Sequence, residues 1–588
     1  MAVEIKSFEV SDPLNASLAG FAEINKNLTL IPKEKVFFRT TEKDKVALVS
    51  GGGSGHEPAH AGFVGKGCLS AAVCGDIFAS PSTKQILNAI KVVAQNSKGV
   101  VLIVKNYTGD VLHFGLAAER ARALGIDCSV VVVGDDVAVG RNKGGLVGRR
   151  ALAGTVLVHK MVGAFTEKYS ARYGVEGVVK VAHAINENLV TIGSSLDHCK
   201  VPGRKFETEL NGKQMEVGMG IHNEPGVQVL DSIPSVEELV EKHMLPKLLD
   251  PKDKDRHFVE FDDSDEVVLL INNLGGVSNF ILTAIVDVTR KYLKDNYKIV
   301  PVETVCGTVM TSFNGNGFSI TLFNASRASA TIKKEIKEID SVLELLREPT
   351  DAPGWPVKEP EVKKAPSFDE SLLEDVIDVQ KAGAYDFAKV SELLKAGAEQ
   401  LVKSEPHITH LDNQVGDGDC GYTLVAGAKA ITENLNSVSS KYLSQTLAEF
   451  SDHIESAMGG TSGGLYSIFI SGLSKGIIEE CGDDNDAQVD KQKFGRALQT
   501  AYDTLCKYTR ARPGDSTMID ALEPFVKEFS SSHDFHQAFL KAEKGAKSTG
   551  NLEAKFGRAS YVEDTEAIPD PGAVGLVEFL KGVDSKLN

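Results

Sequence analysis

The sequence predicts an α/β first half and an all-α second half, joined by a Pro-rich linker. Three textures carry this prediction. First, continuous apolar runs recur at Val46–Val49, Val100–Val104, Val130–Val133 and Val267–Ile271, the pattern of strands buried on both faces. Between them lie segments of helical spacing, such as Ser82–Asn96 with Ile86, Ile90 and Val93 on one face. Strand–helix alternation predicts α/β layers with a mainly parallel sheet. A stretch of about 350 residues has room for two α/β lobes, with a break expected near Pro202–Leu249. Second, Glu348–Phe368 carries Pro349, Pro353, Pro356, Pro360 and Pro366 among Lys and Glu, the composition of an extended spacer. Third, the texture beyond it turns helical. Phe387, Val390, Leu394 and Leu401 share a face, as do Leu443, Leu447, Phe450, Ile454 and Ala457, and Leu498, Ala501, Leu505 and Tyr508. Loops rich in Gly, Asp and Pro separate these helices, which places the chemistry on loops at one end of a helical domain. The expected boundaries are 1–347, 348–368 and 369–588.

Composition narrows the function. A chain of 588 residues exceeds one hydrophobic core. The net charge of -17 argues against a nucleic-acid or anionic-membrane binder, since both carry a basic face. No apolar run reaches the ~18 residues of a membrane span. The eight cysteines are scattered without a CxxC pair, which predicts reduced thiols in a cytoplasmic protein rather than disulfides or a zinc site. The opening Met-Ala-Val-Glu lacks a basic-then-apolar signal pattern and points the same way.

The densest chemical signal is Leu411–Gly421, where Asp412, Asp417 and Asp419 fall among Gly416, Gly418 and Gly421. Asp and Gly disfavour helix and strand interiors, so a tight loop is expected. Clustered carboxylates repel unless a cation joins them, and Mg²⁺ takes carboxylate oxygens while keeping substrate phosphates. A solvated acidic turn is the alternative; Asp412, placed after an apolar residue, favours metal.

In the first half, Gly51-Gly52-Gly53-Ser54-Gly55-His56-Glu57-Pro58 follows a strand and fits neither GxGxxG nor the P-loop. It is expected to be a loop where backbone N–H groups meet a small polar ligand. A second strand ends in Lys105-Asn106-Tyr107-Thr108-Gly109-Asp110, which suits a substrate site with Lys105 as donor and Asp110 as base. With His56, Asp110 makes a plausible proton-transfer pair. His222 lies within Met219–Gly226, between Gly and Pro, and spacing alone leaves it open between a site residue and a structural or exposed histidine. In the second half, Met458–Gly464 closes one helical pattern and opens another. Its amides and hydroxyls suit phosphate oxygens, or its small residues serve a close helix crossing. Arg512–Met518 and Pro569–Gly572 are polar turns, and Asp515 is open to a plain N-cap reading.

Taken in order, Gly51–Pro58, Lys105–Asp110, Gly220–Gly226, Asp412–Gly421, Gly459–Gly463 and Pro513–Met518 resemble the ATP-dependent dihydroxyacetone kinases of the single-chain eukaryotic type, close to fungal members. The resemblance implies a substrate-binding K domain of two α/β lobes and a nucleotide-binding L domain built as an antiparallel helix barrel. His222 would attack the ketone carbon and hold dihydroxyacetone as a hemiaminal. Gly51, Gly52, Gly53, Ser54, Lys105 and Asp110 would bind its oxygens, and His56 and Asp110 would manage the proton of the phosphorylated hydroxyl. Asp412, Asp417 and Asp419 would hold two Mg²⁺ ions. Gly418, Cys420, Thr461, Ser462, Gly514, Asp515, Thr517, Met518, Asp570, Pro571 and Gly572 would surround ATP. The family's usual Gly after the hemiaminal histidine is Asn223 here, a residue that tolerates left-handed backbone. Glyceraldehyde as a second acceptor and a homodimer are also implied. FAD-AMP lyase activity at the nucleotide site, or a non-catalytic triose sensor, are the alternatives.

Overall fold

The computed structural model describes residues 8–144, 147–202, 210–356, 379–438, 441–555 and 568–587. The chain divides into two compact units, Met1–Ala365 and Pro366–Asn588. Residues 357–368 of the expected linker lie outside the described residues.

Among the described residues the first unit holds two six-stranded sheets. The first contains β1 (Thr29–Ile31), β2 (Val36–Phe38), β3 (Val46–Ser54), β4 (Ala71–Ile77), β5 (Gly99–Lys105) and β6 (Cys128–Val133), in the order β1-β2-β4-β3-β5-β6. β4, β3, β5 and β6 are parallel neighbours, with β1 and β2 antiparallel at one edge. Helix α1 (Pro13–Ile24) precedes the sheet, and α2 (Thr83–Ala94) and α3 (Thr108–Ala123) pack on one face. Ser82 starts α2 with a capping box closed by Gln85, which satisfies otherwise unpaired amides of its first turn.

The second sheet comprises β7 (Leu189–Ser195), β8 (Met215–Val217), β9 (Gln228–Leu230), β10 (Val267–Asn273), β11 (Glu303–Gly307) and β12 (Gly317–Asn324), in the order β11-β10-β12-β7-β8-β9. Here the expectation of mainly parallel pairing is corrected. Only β10 and β11 run parallel; the other pairs are antiparallel. The apolar runs report burial on two faces, which β10 and β12 share with the parallel strands of the first sheet. Burial carries no information on direction.

Helix α4 (Gly154–Asn186) connects the sheets and packs against β3, β5 and β6 of one and β7 and β12 of the other. A single apolar cluster, including Leu48, Val101, Val162, Val181, Val268 and Phe323, fills this three-layer interior. The chain passes from one sheet to the other along α4, not near Pro202–Leu249, which instead contributes β8 and β9. The start of the expected spacer is also packed chain. Trp355 is 2% exposed and Ala352 1%. Gly354 N–H donates to the Gly62 carbonyl at 2.7 Å, and Asp351 accepts from Lys66 N–H at 2.5 Å. These residues strap the chain leaving the unit onto the loop after His56.

The second unit consists of α5 (Phe387–Val415), α6 (Cys420–Asn434), α7 (Leu443–Ala457), α8 (Gly460–Cys481), α9 (Lys491–Tyr508), α10 (Ile519–Ser532), α11 (Phe535–Ser548) and α12 (Pro571–Leu587). Each helix packs on its sequence neighbours, and α12 closes the ring on α5. This is the expected helix barrel. Its apolar stripes face inward around a cavity of about 660 Å³ lined by Leu424, Ile431, Phe450, Leu473, Leu498 and Phe525. All eight cysteines of the chain are free thiols. No helix among the described residues is long and apolar enough to cross a membrane.

Candidate active site

In the first unit the site forms where the ends of β3 and β5 meet a turn from the second sheet. β3 continues through Gly51, Gly52, Gly53 and Ser54, so these residues are strand rather than loop. Three of them are committed to packing. A Cβ on Gly51 would lie 2.3 Å from the Val73 carbonyl oxygen, and one on Gly53 would lie 2.7 Å from Ala79 N. Ser54 Oγ donates to the Gly75 carbonyl at 2.8 Å. Gly52 differs: its missing side chain faces Lys105 Cε at 3.3 Å and Asp110 Oδ2 at 3.4 Å. Gly55 then turns the chain with φ 99°, its ideal Cβ 2.8 Å from the Phe78 ring.

That turn delivers His56, which is fully buried and zipped to the second sheet. His56 Nδ1 donates to the Thr311 carbonyl at 2.7 Å, and Phe313 N–H donates to the Gly55 carbonyl at 2.7 Å. His56 Nε2 stands 2.9 Å from His222 Nε2, across 166 positions of sequence. Phe78 stacks on His56, while Phe78 and Tyr107 present edges to His222. Burial, with the nearby Lys105 and His222 charges, pushes His56 well below the usual imidazole range, which keeps it neutral and able to accept a proton.

Lys105 ends β5, and its fully buried Nζ has no hydrogen-bond partner in the structure. Burial lowers its pKa, while Asp110 and Glu224 act in the opposite direction. Asp110 lies in the first turn of α3 and accepts from Ser80 Oγ at 2.5 Å rather than capping the helix. A buried ammonium without a partner is costly. A small hydroxylated ligand entering beside Gly52 would supply the missing oxygen.

His222 is partly exposed and sits in a turn clamped at both ends by Arg150. Arg150 donates to the Gly218 carbonyl at 2.7 Å and the Pro225 carbonyl at 3.4 Å, while Asp136 pairs with its Nε at 2.8 Å. Asn223 has φ 64°, and its side chain bonds both the N–H and the carbonyl of Cys199. The left-handed position is thus held by an asparagine anchored through its amide.

In the second unit the three carboxylates come together. Asp412, Asp417 and Asp419 offer ligand oxygens all within 4.8 Å of one another. Asp412 is not in the loop as expected; it belongs to the last turn of α5, buried, with Oδ2 accepting from Cys420 N–H at 2.9 Å. A helix C-terminus carries partial negative charge, so a helix end bearing a buried Asp beside two exposed carboxylates suits a hard cation. Burial, followed by the charges of Asp412, Asp570, Asp419 and Asp417, pushes the Cys420 thiol up to about 12. Asp570 therefore shares this end of the barrel with the trio.

The neighbouring turns also assemble here. Thr461 and Ser462 lie in the first turn of α8, whose N-cap Gly459 makes no side-chain cap. Gly463 is required by packing, with an ideal Cβ 1.9 Å from the Met458 carbonyl oxygen, but Gly459, Gly460 and Gly464 face open space. Gly463 is thus required by the turn into α8 itself, and none of the four glycines meets another helix. In the Gly514–Met518 turn, Asp515 bonds Arg512 N–H and Lys555 rather than capping α10. Asp520 holds this turn instead, accepting from Gly514 N–H at 2.6 Å and Thr517 N–H at 2.9 Å. Asp570 precedes Pro571 at the start of α12 and accepts from Ala573 N–H at 2.7 Å. Gly572 lies against Met518, its ideal Cβ 3.7 Å from Met518 Cβ.

Sequence reading missed Glu224, Thr311, Phe78, Arg150 and Asp520. Only Glu224 left a signal, an acid two residues from a candidate histidine in a Gly- and Pro-bounded turn. The others act through the folded chain.

A family model of the Dak1 domain matches residues 19–354, and one of the DAK2 domain matches residues 414–585. Together they define the class: a Dak1 and a DAK2 domain on one polypeptide. Dihydroxyacetone kinase 1 of Saccharomyces cerevisiae is 67% identical, covering 99% of this chain and 100% of the relative. Triokinase/FMN cyclase of Homo sapiens is 36% identical, with 96% of each chain covered. The crystal structure of the dihydroxyacetone kinase from C. freundii in complex with AMP-PNP and Mg²⁺ superimposes with a TM-score of 0.63 at 30% identity, covering 99% of this chain and 100% of that one. The chain belongs to the dihydroxyacetone kinase family.

Proposed function

We propose that the protein transfers the γ-phosphoryl group of ATP to a hydroxyl of dihydroxyacetone. The observation that carries this reading is the grouping in the first unit of a buried ammonium with no hydrogen-bond partner, Lys105, with the paired imidazoles of His56 and His222. Imidazole nitrogen adds to a carbonyl, and a simple polyol has none, so His222 selects short ketoses and aldoses over glycerol. Lys105 donates to a substrate oxygen and Asp110 accepts from a hydroxyl, with Gly52 leaving the space between them. Gly51 and Ser54 support this floor against β4, and Gly53 packs on the 78–79 turn. His56 and Asp110 take up the proton of the attacking hydroxyl.

In the second unit Asp412, Asp417 and Asp419 would hold Mg²⁺, as two ions in this reading. Bound there, the metal supplies charge neutralisation for the phosphates. The uncapped amides at the start of α8, with Thr461 and Ser462, suit phosphate oxygens. Gly418, Cys420, Gly514, Asp515, Thr517, Met518, Asp570, Pro571 and Gly572 shape the surroundings of the nucleotide. Glyceraldehyde as a second acceptor, a homodimeric state and a cytoplasmic location belong to the same reading and rest on the family resemblance.

The test is an assay of purified protein with Mg²⁺-ATP and dihydroxyacetone, beside His222→Ala. Triose phosphate from the wild type and little from the variant supports the reading. No product from well-folded wild type rejects it, and FAD with Mn²⁺ is then the substrate to try.

A further inference from the structure

Within the His222 turn, both oxygens of the Glu224 carboxylate are directed at one residue. Oε1 lies 2.7 Å from His222 Nδ1, and Oε2 accepts the His222 backbone N–H at 2.9 Å. We infer that Glu224 is the positioning residue that fixes His222 in the Nδ1–H form, leaving Nε2 as its one ring nitrogen available to bond a substrate carbon. The inference deepens the proposed function and rests on its reading of His222.

A proton count supports it. Burial works against ionisation of Glu224, but the hydrogen bond and charge of the His222 ring, the His222 N–H and Arg150 hold the carboxyl at about 2. Glu224 Oε2 is taken by the His222 backbone N–H, and a carboxylate oxygen only accepts, so the 2.7 Å contact of Oε1 places a proton on His222 Nδ1. A carbonyl also only accepts, so His56 Nδ1, 2.7 Å from the Thr311 oxygen, carries one too. The two Nε2 atoms then face each other at 2.9 Å. Without a proton between them, two lone pairs would be opposed at hydrogen-bond distance. The pair therefore holds three protons and one positive charge, which the Glu224 carboxylate balances. Burial and Lys105 disfavour that charge on His56, while the Glu224 carboxylate lies 2.7 Å from the His222 ring.

This arrangement defines a balanced addition step. The shared proton moves to His56 Nε2 and frees the lone pair on His222 Nε2. That nitrogen bonds the substrate's carbonyl carbon, the C=O π pair moves to oxygen, and His56 Nε2–H protonates the oxygen. His56 ends neutral, the carbon bears a hydroxyl, and the substituted His222 ring carries the positive charge with Nδ1–H still on Glu224. One charge enters and one remains, with no oxidant or further reactant.

Glu224→Gln in the full chain tests this. Gln has one acceptor oxygen; the fixed His222 backbone N–H keeps it, since that donor cannot change, and the amide N–H₂ then faces ring Nδ1, which can become an acceptor. Adduct formation is followed by ¹³C NMR of dihydroxyacetone labelled at its carbonyl carbon, and the His222 tautomer by ¹⁵N NMR. The expected result is adduct formation slower by on the order of 100-fold or more, as for loss of an orienting carboxylate elsewhere, with the Nδ1–H signature of His222 lost. An unchanged adduct rate overturns the inference, and so does a slow variant whose Nδ1–H signature is intact. If Glu224→Gln does not fold, Glu224→Asp replaces it. Retention of the Nδ1–H tautomer with a reduced rate is then expected, and its loss overturns the inference. Absence of an adduct in the wild type rejects the underlying reading of His222 itself, separately from the role of Glu224.

Discussion

The two units solve the problem of gathering polar groups in opposite ways. The first brings its groups from far apart in sequence and buries them. His56 comes from the end of β3, His222 from the turn after β8, and Thr311 from the connection between β11 and β12. Each finds its bonds across the sheet boundary, so the site exists only when both sheets close on α4. The second unit gathers three carboxylates from eight consecutive residues at a helix end, with Asp417 and Asp419 exposed. Asp417 and Asp419 stay open to water, while Asp412 is buried on the Cys420 N–H. A carbonyl-holding nucleophile needs a fixed tautomer and a dry surround, whereas a metal–phosphate site needs charge that water can screen in the meantime. The contrast assigns preorganisation to the first unit and electrostatic capture to the second.

Substitutions can pull the two apart. The largest effect is expected from His222→Ala: the adduct carbon signal disappears and turnover falls by at least about 100-fold, the scale of losing a positioned reactant. ATP binding, followed by calorimetry, stays at the wild-type level. ATP binding that falls with it would show that the two sites are not separable. Asp417→Ala is the reciprocal case. Mg²⁺-dependent turnover is lost, or needs at least about tenfold more Mg²⁺, while ¹³C NMR still shows the adduct. Retained full activity at ordinary Mg²⁺ would remove Asp417 from the metal site.

Gly52→Ala sharpens the comparison inside the first unit. Its methyl group would enter the space beside Lys105 Cε and Asp110 Oδ2. KM for dihydroxyacetone should rise by about tenfold, or ~1.4 kcal/mol, with KM for ATP unchanged. An unchanged KM for both would place the substrate elsewhere.

The smallest effect concerns Lys160. Lys160 in α4 donates to the Leu345 carbonyl at 2.9 Å, and burial lowers its pKa to about 8. Between pH 8 and the unfolded value of 10.5 the unfolded chain binds more protons than the native one at this site. Stability therefore rises with pH across that window. Urea titrations should show the wild type gaining on Lys160→Met from pH 8 to 10; parallel profiles would mean that the ammonium is not titrating in the fold.

Legibility followed the same divide. The carboxylate cluster was readable because its members are sequence neighbours, and only Asp412 was misplaced. Its position in α5 depends on a helix that continues to Val415, through residues whose composition alone suggests a loop. Spacing left His222 open because its partner lies 166 positions away. Nor did the sequence record that Ser54 Oγ bonds the Gly75 carbonyl or that Gly53 packs on the 78–79 turn.

Local periodicity was enough to separate an α/β half from a helical one, because the spacing of apolar side chains is set by the geometry of each element. It also identified buried strands, since both faces must be apolar. Strand direction in the second sheet, the passage between sheets along α4 and the docking of Ala352 and Trp355 were settled only by the folded chain. So was the meeting of His56, His222 and Glu224. Those features depend on which surfaces cover one another, and a one-dimensional pattern records that a residue is covered without recording by what.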